Sequence, residues 1–196
     1  MITIGMDVGR EHDPAALAVL HSRDFRPESH RPIWKALDVG NVALGTEYTQ
    51  LAHTAADMAA DFHHSGFPTV LAVDATGIGG AVVELARRRR PEVHLAAVTI
   101  SGGHVLSRTD EHDYTVGKHR LTEVLQVALE QGGLRLPDTD GTHELHKQLA
   151  NFSRIATTQG YQRHVAATGH DDLVLALELA LWAGDTLHDE YAGASP

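Results

Sequence analysis

Thr69-Val70-Leu71-Ala72-Val73 is apolar or β-branched at every position, is bounded by Pro68 and Gly77, and ends on Asp74. A strand that shows one face to water alternates polar and apolar residues. A run without alternation must be covered on both faces, which is the condition of a central strand in a parallel sheet. The segments that follow supply a cover. Gly79 to Arg90 has a helical apolar side in Val82, Val83, Leu85 and Ala86, and Val93 to Ile100 is a second buried strand, so the three form a β-α-β unit.

The segments before it read differently. Ile2-Thr3-Ile4-Gly5-Met6-Asp7 is an alternating strand, Ala15 to Leu20 is its hairpin partner, and Ile33 to Val42 is a third strand. Three consecutive antiparallel strands are therefore expected, followed by a helix over Glu47 to His64 that carries Leu51, Ala55, Met58, Ala59 and Phe62. Further on, Gly102 to Val116 reads as a loop or small hairpin and Lys118 to Gln131 as a helix ended by Gly132-Gly133. Leu134 to Pro137 suits a short strand, His143 to Asn151 a short helix, and Phe152 to Ala167 two polar strands turned at Gln159-Gly160. A last helix is expected from about Asp171 to about Leu187. The fold class is thus α/β, with three antiparallel strands and then parallel strands in one mixed sheet flanked by helices. One domain over residues 1–190 and a frayed tail over 191–196 are expected.

Composition restricts the chemistry. The 196 residues contain no cysteine, so thiolate ligands are excluded and a metal would be held by carboxylate, imidazole or backbone oxygen, which favours hard cations. No apolar run reaches the ~20 residues of a membrane span, and the first residues lack a signal-peptide pattern, so a cytoplasmic setting without a membrane is expected. The net charge of -10 argues against a protein that grips DNA by neutralising many phosphates. It is compatible with a carboxylate-rich nuclease, because two divalent ions would add four positive charges where a phosphate must sit.

Candidate site residues follow from position. In an open α/β sheet, ligands gather at the carboxyl ends of the strands, where Asp74 lies. Asp7 also ends a strand, and if the first and fourth strands are neighbours the two carboxylates fall side by side and repel unless a cation joins them. Asp171 and Asp172 open the last helix; docked with its N-terminus toward the strand ends, that helix would complete a carboxylate site suited to Mg²⁺ or Mn²⁺. Ordinary structural roles are available to each residue alone: helix capping for Asp171 and Asp172, and turn initiation for Asp7 and Asp74. The order of all three positions favours the functional reading.

Three stretches resemble the RNase H-like nuclease domain of phage large terminases, which cut concatemeric genomes into packaged lengths. They are Ile4 to Gly9 with Asp13 to Leu17, Val73 to Gly79, and His170-Asp171-Asp172-Leu173-Val174-Leu175-Ala176-Leu177. Tyr114 to Lys118, with the following helix and Gly133 to Pro137, is similar to the family's middle region. The resemblance implies an endonuclease that uses two Mg²⁺ or Mn²⁺ ions to cut double-stranded DNA, with Asp7, Asp74 and Asp171 as principal ligands and catalytic groups. It implies auxiliary roles for Asp172 and Asp13 at the second ion. Lys118 would face a phosphate or the site, or else stand solvated at a helix start; His170 would contact a phosphate or act as general acid, or be a chance neighbour among 15 histidines.

No G-x-x-x-x-G-K-[ST] loop occurs, so the resemblance implies an ATPase motor domain or subunit as partner, with a small terminase and a portal, in the host cytoplasm if the chain is viral. The basic run Arg87 to Arg90 either contacts DNA or complements the end of its helix. Three rivals differ in what they require. A sugar-kinase or actin-like ATPase needs a second domain with its own phosphate loop. A Holliday-junction resolvase needs a dimer and a more basic face. A silent RNase H-like docking module would keep the carboxylates without catalysis.

Overall fold

A computed structural model describes residues 1–9, 13–25, 32–156, 162–166 and 171–192. The chain runs β1 (Ile2–Asp7), β2 (Ala16–Phe25), β3 (Pro32–Asn41), α1 (Tyr48–His64), β4 (Thr69–Asp74), α2 (Gly79–Arg89) and β5 (His94–Ser101). It continues with β6 (Leu106–Asp110), β7 (Asp113–Gly117), α3 (Lys118–Glu130), β8 (Leu134–Arg135), α4 (Asp140–Asn151), β9 (Phe152–Ala156), β10 (Gln162–Ala166) and α5 (Asp172–Ala192). Eight strands form one sheet in the order β6-β7-β5-β4-β1-β2-β3-β8, and β9 with β10 forms a separate ribbon.

The antiparallel strands β1, β2 and β3 stand next to the parallel β1, β4, β5 and β7, which is the mixed sheet expected from the change in sequence pattern. Side-chain alternation then decides what each face carries. Ile2, Ile4 and Met6 of β1, with Leu71 and Val73 of β4, pack with α1 and α2 residues such as Leu51, Ala55, Val82 and Ala86. Val70 and Ala72 point the other way, into a cluster with Leu179, Trp182 and Ala183 of α5. The uninterrupted apolar run is explained by this double cover, and each large aliphatic side chain so buried contributes roughly 1.5–3 kcal/mol.

On the second face α5 lies unusually close to β1. A Cβ on Gly5 would sit 2.0 Å from the Ala176 carbonyl oxygen and 2.6 Å from the Ala180 nitrogen, so only glycine admits the helix at this distance. Ala176, Leu177, Ala180 and Leu181 complete the seam with Ala16, Ala18 and Leu20 of β2. The helix extends to Ala192, five residues beyond the expected end near Leu187, while 193–196 lie outside the described residues.

The segment expected as a loop or small hairpin is a hairpin whose second strand joins the main sheet, with β7 parallel to β5 and antiparallel to β6. β6 is exposed along its whole length, so it carries no apolar alternation that a sequence pattern could reveal. Among the described residues, no helix is long and apolar enough to cross a membrane.

Candidate metal centre

The sheet positions two carboxylates first. β1 and β4 pair in parallel with Met6 opposite Val73, which leaves Asp7 and Asp74 side by side at the carboxyl ends of neighbouring strands. Alternation from Gly5 and Ala72 turns both toward the α5 face. The close seam at Gly5 directs the N-terminus of α5 to the same strand ends, bringing Asp171 and Asp172. All four, with Asp13, line one open cleft of about 710 Å³ together with Tyr48, Thr76 and Ile100.

The backbone around Asp74 is fixed locally. Its Oδ1 accepts a hydrogen bond from the Thr76 N–H at 2.8 Å, and the Thr76 hydroxyl oxygen accepts one from the Ile100 N–H at 3.0 Å, tying the turn to β5. A Cβ on Gly79 would lie 1.9 Å from the Asp74 carbonyl oxygen, so α2 can start under this turn only with glycine there.

The electrostatics record crowding. The Asp7 carboxyl is pushed from its usual 3.8 up to about 8, first by burial, then by the charges of Asp74, Asp172 and Asp171, with Lys118 opposing. Lys118, the first residue of α3, supplies the local positive charge: its Nζ donates to Asp171 Oδ2 at 3.0 Å. The partner the structure gives Lys118 is thus a carboxylate of the cleft. Among the described residues no three of these carboxylates offer ligand atoms all within 4.8 Å of one another.

Asp7, Asp13, Asp74, Asp171 and Asp172 are thus brought to one place, with Lys118 beside them. His170 lies outside the described residues. Three of the four arginines in the run are taken up in ion pairs: Arg89 and Arg90 both hold Asp57, at 2.9 and 2.6 Å, and Arg87 pairs with Asp113, while Arg88 stands exposed. Sequence reasoning missed Glu178, which lies buried on α5 two turns beyond Asp171. Burial raises its carboxyl to about 7, against the pull of Lys118 and the Thr122 hydroxyl, and the charge of Asp171 adds to the rise. A lone acid inside the apolar stretch Leu173 to Trp182 was the signal available for it.

An all-carboxylate donor set suits hard divalent cations. Neither a protein-family model nor a curated protein matches the sequence. Solved structures do. The large terminase nuclease of thermophilic phage G20c superposes with a TM-score of 0.62 at 19% identity, covering 92% of this chain and 80% of that one. The chain has the fold of the large terminase nuclease domains. The nuclease domain of the Sf6 large terminase subunit gp2, solved with manganese and beta-thujaplicinol, gives a TM-score of 0.66 at 12% identity over 92% of this chain and 87% of that one. The manganese-soaked terminase nuclease domain of human cytomegalovirus gives 0.57 at 15% identity over 95% and 84%. The terminase nuclease fold therefore extends along nearly the whole chain, and the acidic cleft sits at the ends of its central strands.

Proposed function

We propose that this protein is a divalent-metal-dependent endonuclease that cuts double-stranded DNA with little sequence preference, as the nuclease domain of a viral DNA-packaging terminase. The observation that carries the reading is the gathering of five aspartates, from the ends of β1 and β4, the segment before β2 and the start of α5, along one cleft. A fold whose solved examples include manganese-bound terminase nucleases adds support.

Asp7, Asp74 and Asp171 would hold the first of two Mg²⁺ or Mn²⁺ ions, with Asp172 and Asp13 serving the second. When bound, such ions activate water and stabilise both the attacking and the leaving oxygen of a phosphodiester displacement. The chain's own groups set up that chemistry. The Asx turn at Asp74 fixes one carboxylate on the rigid sheet, and the Gly5 seam fixes the α5 carboxylates against it. Lys118 holds Asp171 in orientation and places a cation next to the incoming phosphate. Little sequence preference is expected because, among the described residues, the helices contribute only Tyr48, Asp172 and Leu175 to the cleft lining, which is no row of base-reading side chains. The partners implied are double-stranded DNA, an ATPase motor domain or subunit, a small terminase and a portal, in the host cytoplasm.

The deciding experiment is cleavage of supercoiled plasmid by the purified chain with Mn²⁺, Mg²⁺, Ca²⁺ or EDTA, with Asp74→Asn alongside. Nicking and linearisation that need Mn²⁺ or Mg²⁺ and vanish in the variant are expected. Equal cutting by the variant, or cutting in EDTA, would refute the metal-site assignment.

A further inference from the structure

A second group of metal-ligating side chains lies away from the acidic cleft. His104, in the turn between β5 and β6, meets His119 and Glu123 on the first two turns of α3, and one ligand atom from each falls within 4.8 Å of the others. His119 Nδ1 stands 3.2 Å from Glu123 Oε1, close to the ~3.4 Å that separates two ligands of a tetrahedral zinc ion with bonds of about 2.1 Å. The rings of His104 and His119 have centroids 3.9 Å apart at an interplanar angle of 43°. That is neither a parallel stack nor an edge-to-face pair, so aromatic preference does not account for it.

The backbone builds this meeting. Gly117 N–H donates to the Val105 carbonyl at 2.6 Å, and Leu106 pairs with Val116, which holds the turn carrying His104 against the start of α3. His119 and Glu123 are four residues apart and so share one face of that helix. Two imidazoles and one carboxylate form the borderline donor set that zinc takes, and three protein ligands leave a position for water. This differs from the all-oxygen aspartate cleft, which suits harder ions.

We propose that His104, His119 and Glu123 form a separate Zn²⁺ site that clamps the β5–β6 turn to the N-terminus of α3. Its consequence reaches the cleft through the chain, because His119 follows Lys118 directly and Lys118 is the cation paired with Asp171. Zinc held there fixes the helix start from which Lys118 extends. One competing contact is weak: Glu123 also faces Arg120, at 3.7 Å with both side chains partly exposed.

The test is calorimetric titration of Zn²⁺ into metal-free protein, with imidazole ¹H–¹⁵N spectra recorded in parallel, for the wild type, His104→Ala, Glu123→Gln and Asp74→Asn. We expect the His104 and His119 rings to shift on adding Zn²⁺. His104→Ala and Glu123→Gln should weaken this binding event at least about tenfold with circular dichroism unchanged, and Asp74→Asn should leave it intact. Absence of Zn²⁺ binding, ring shifts confined to other histidines, or an affinity that falls only in Asp74→Asn would overturn the proposal. None of these outcomes depends on whether the protein cuts DNA.

Discussion

Replacing Asp7 by Asn should stabilise the metal-free protein while ending the cleavage proposed for it. In the folded chain the Asp7 carboxyl is raised to about 8 from its usual 3.8, so at pH 7 it is mostly protonated in the fold and ionised in the unfolded chain. The unfolded state then binds fewer protons, and stability must fall as pH rises from about 4 toward 8. At about 1.4 kcal/mol per pH unit, the interval from 3.8 to 7 sets a ceiling of about 4 kcal/mol. Asparagine has nearly the same shape and carries no charge to lose. With relaxation of the neighbouring carboxylates, we expect a gain of about 1–3 kcal/mol in EDTA at pH 7, or roughly 3–10 °C in Tm, shrinking to nothing near pH 4. Millimolar Mn²⁺ should reverse the order, since a ligand at 100 times its Kd stabilises the wild type by about 2.7 kcal/mol and the variant far less. Thermal unfolding at pH 4, 5.5, 7 and 8, with EDTA or Mn²⁺, reads all of this. If Asp7→Asn is no more stable than wild type in EDTA at pH 7 and gains as much from Mn²⁺, the crowded-carboxylate argument is wrong.

Glu178→Gln should raise Tm above pH 7 and change it little at pH 4, because the Glu178 carboxyl is raised to about 7 and its stabilising protonated form is lost as pH rises through that value; a flat difference across that range contradicts the assigned burial. Lys118→Ala should slow cleavage at least about tenfold yet tighten Mn²⁺ binding, since it removes the cation already paired with Asp171; calorimetry and plasmid nicking separate the two effects. Gly5→Ala forces a Cβ to 2.0 Å from a backbone oxygen of α5 and should cost about 3 kcal/mol, lowering Tm by roughly 6–12 °C and activity with it; a neutral result would mean that α5 does not lean on β1.

Much of this architecture can be read from patterns that burial imposes. Thr69 to Val73 had to be central because both of its faces are covered, and Asp7 and Asp74 had to be neighbours once β1 lay beside β4. What stayed hidden depends on contacts between distant segments. Nothing in Leu106 to Asp110 says strand, because that hairpin arm is exposed and held by backbone pairing with β7 and by polar contacts such as the Arg108–Glu190 ion pair rather than by apolar burial. The partner of Lys118 could not be inferred, since α3 and the start of α5 are far apart in sequence and meet only after packing. Glu178 was legible in principle as an acid in an apolar helix, but without the fold it could not be told from a residue on an exposed stripe.

The charge balance gives the acidic cleft a further meaning on the proposed reading. A chain of net charge -10 has little long-range attraction for DNA, and three arginines of its Arg87 to Arg90 run are engaged by Asp57, Asp113 and Glu84. A phosphate approaching this acidic cleft meets repulsion from its ionised carboxylates, which bound dications convert to attraction at the same place. DNA contact at the cleft is therefore conditional on metal, and the chain alone should bind DNA weakly even when loaded, leaving most of the affinity to a partner that already holds the duplex. Binding measured against salt tests the point: neutralising few phosphates gives a shallow dependence, and a slope approaching that of six or more phosphate contacts would mean that a basic surface outside the cleft grips the duplex.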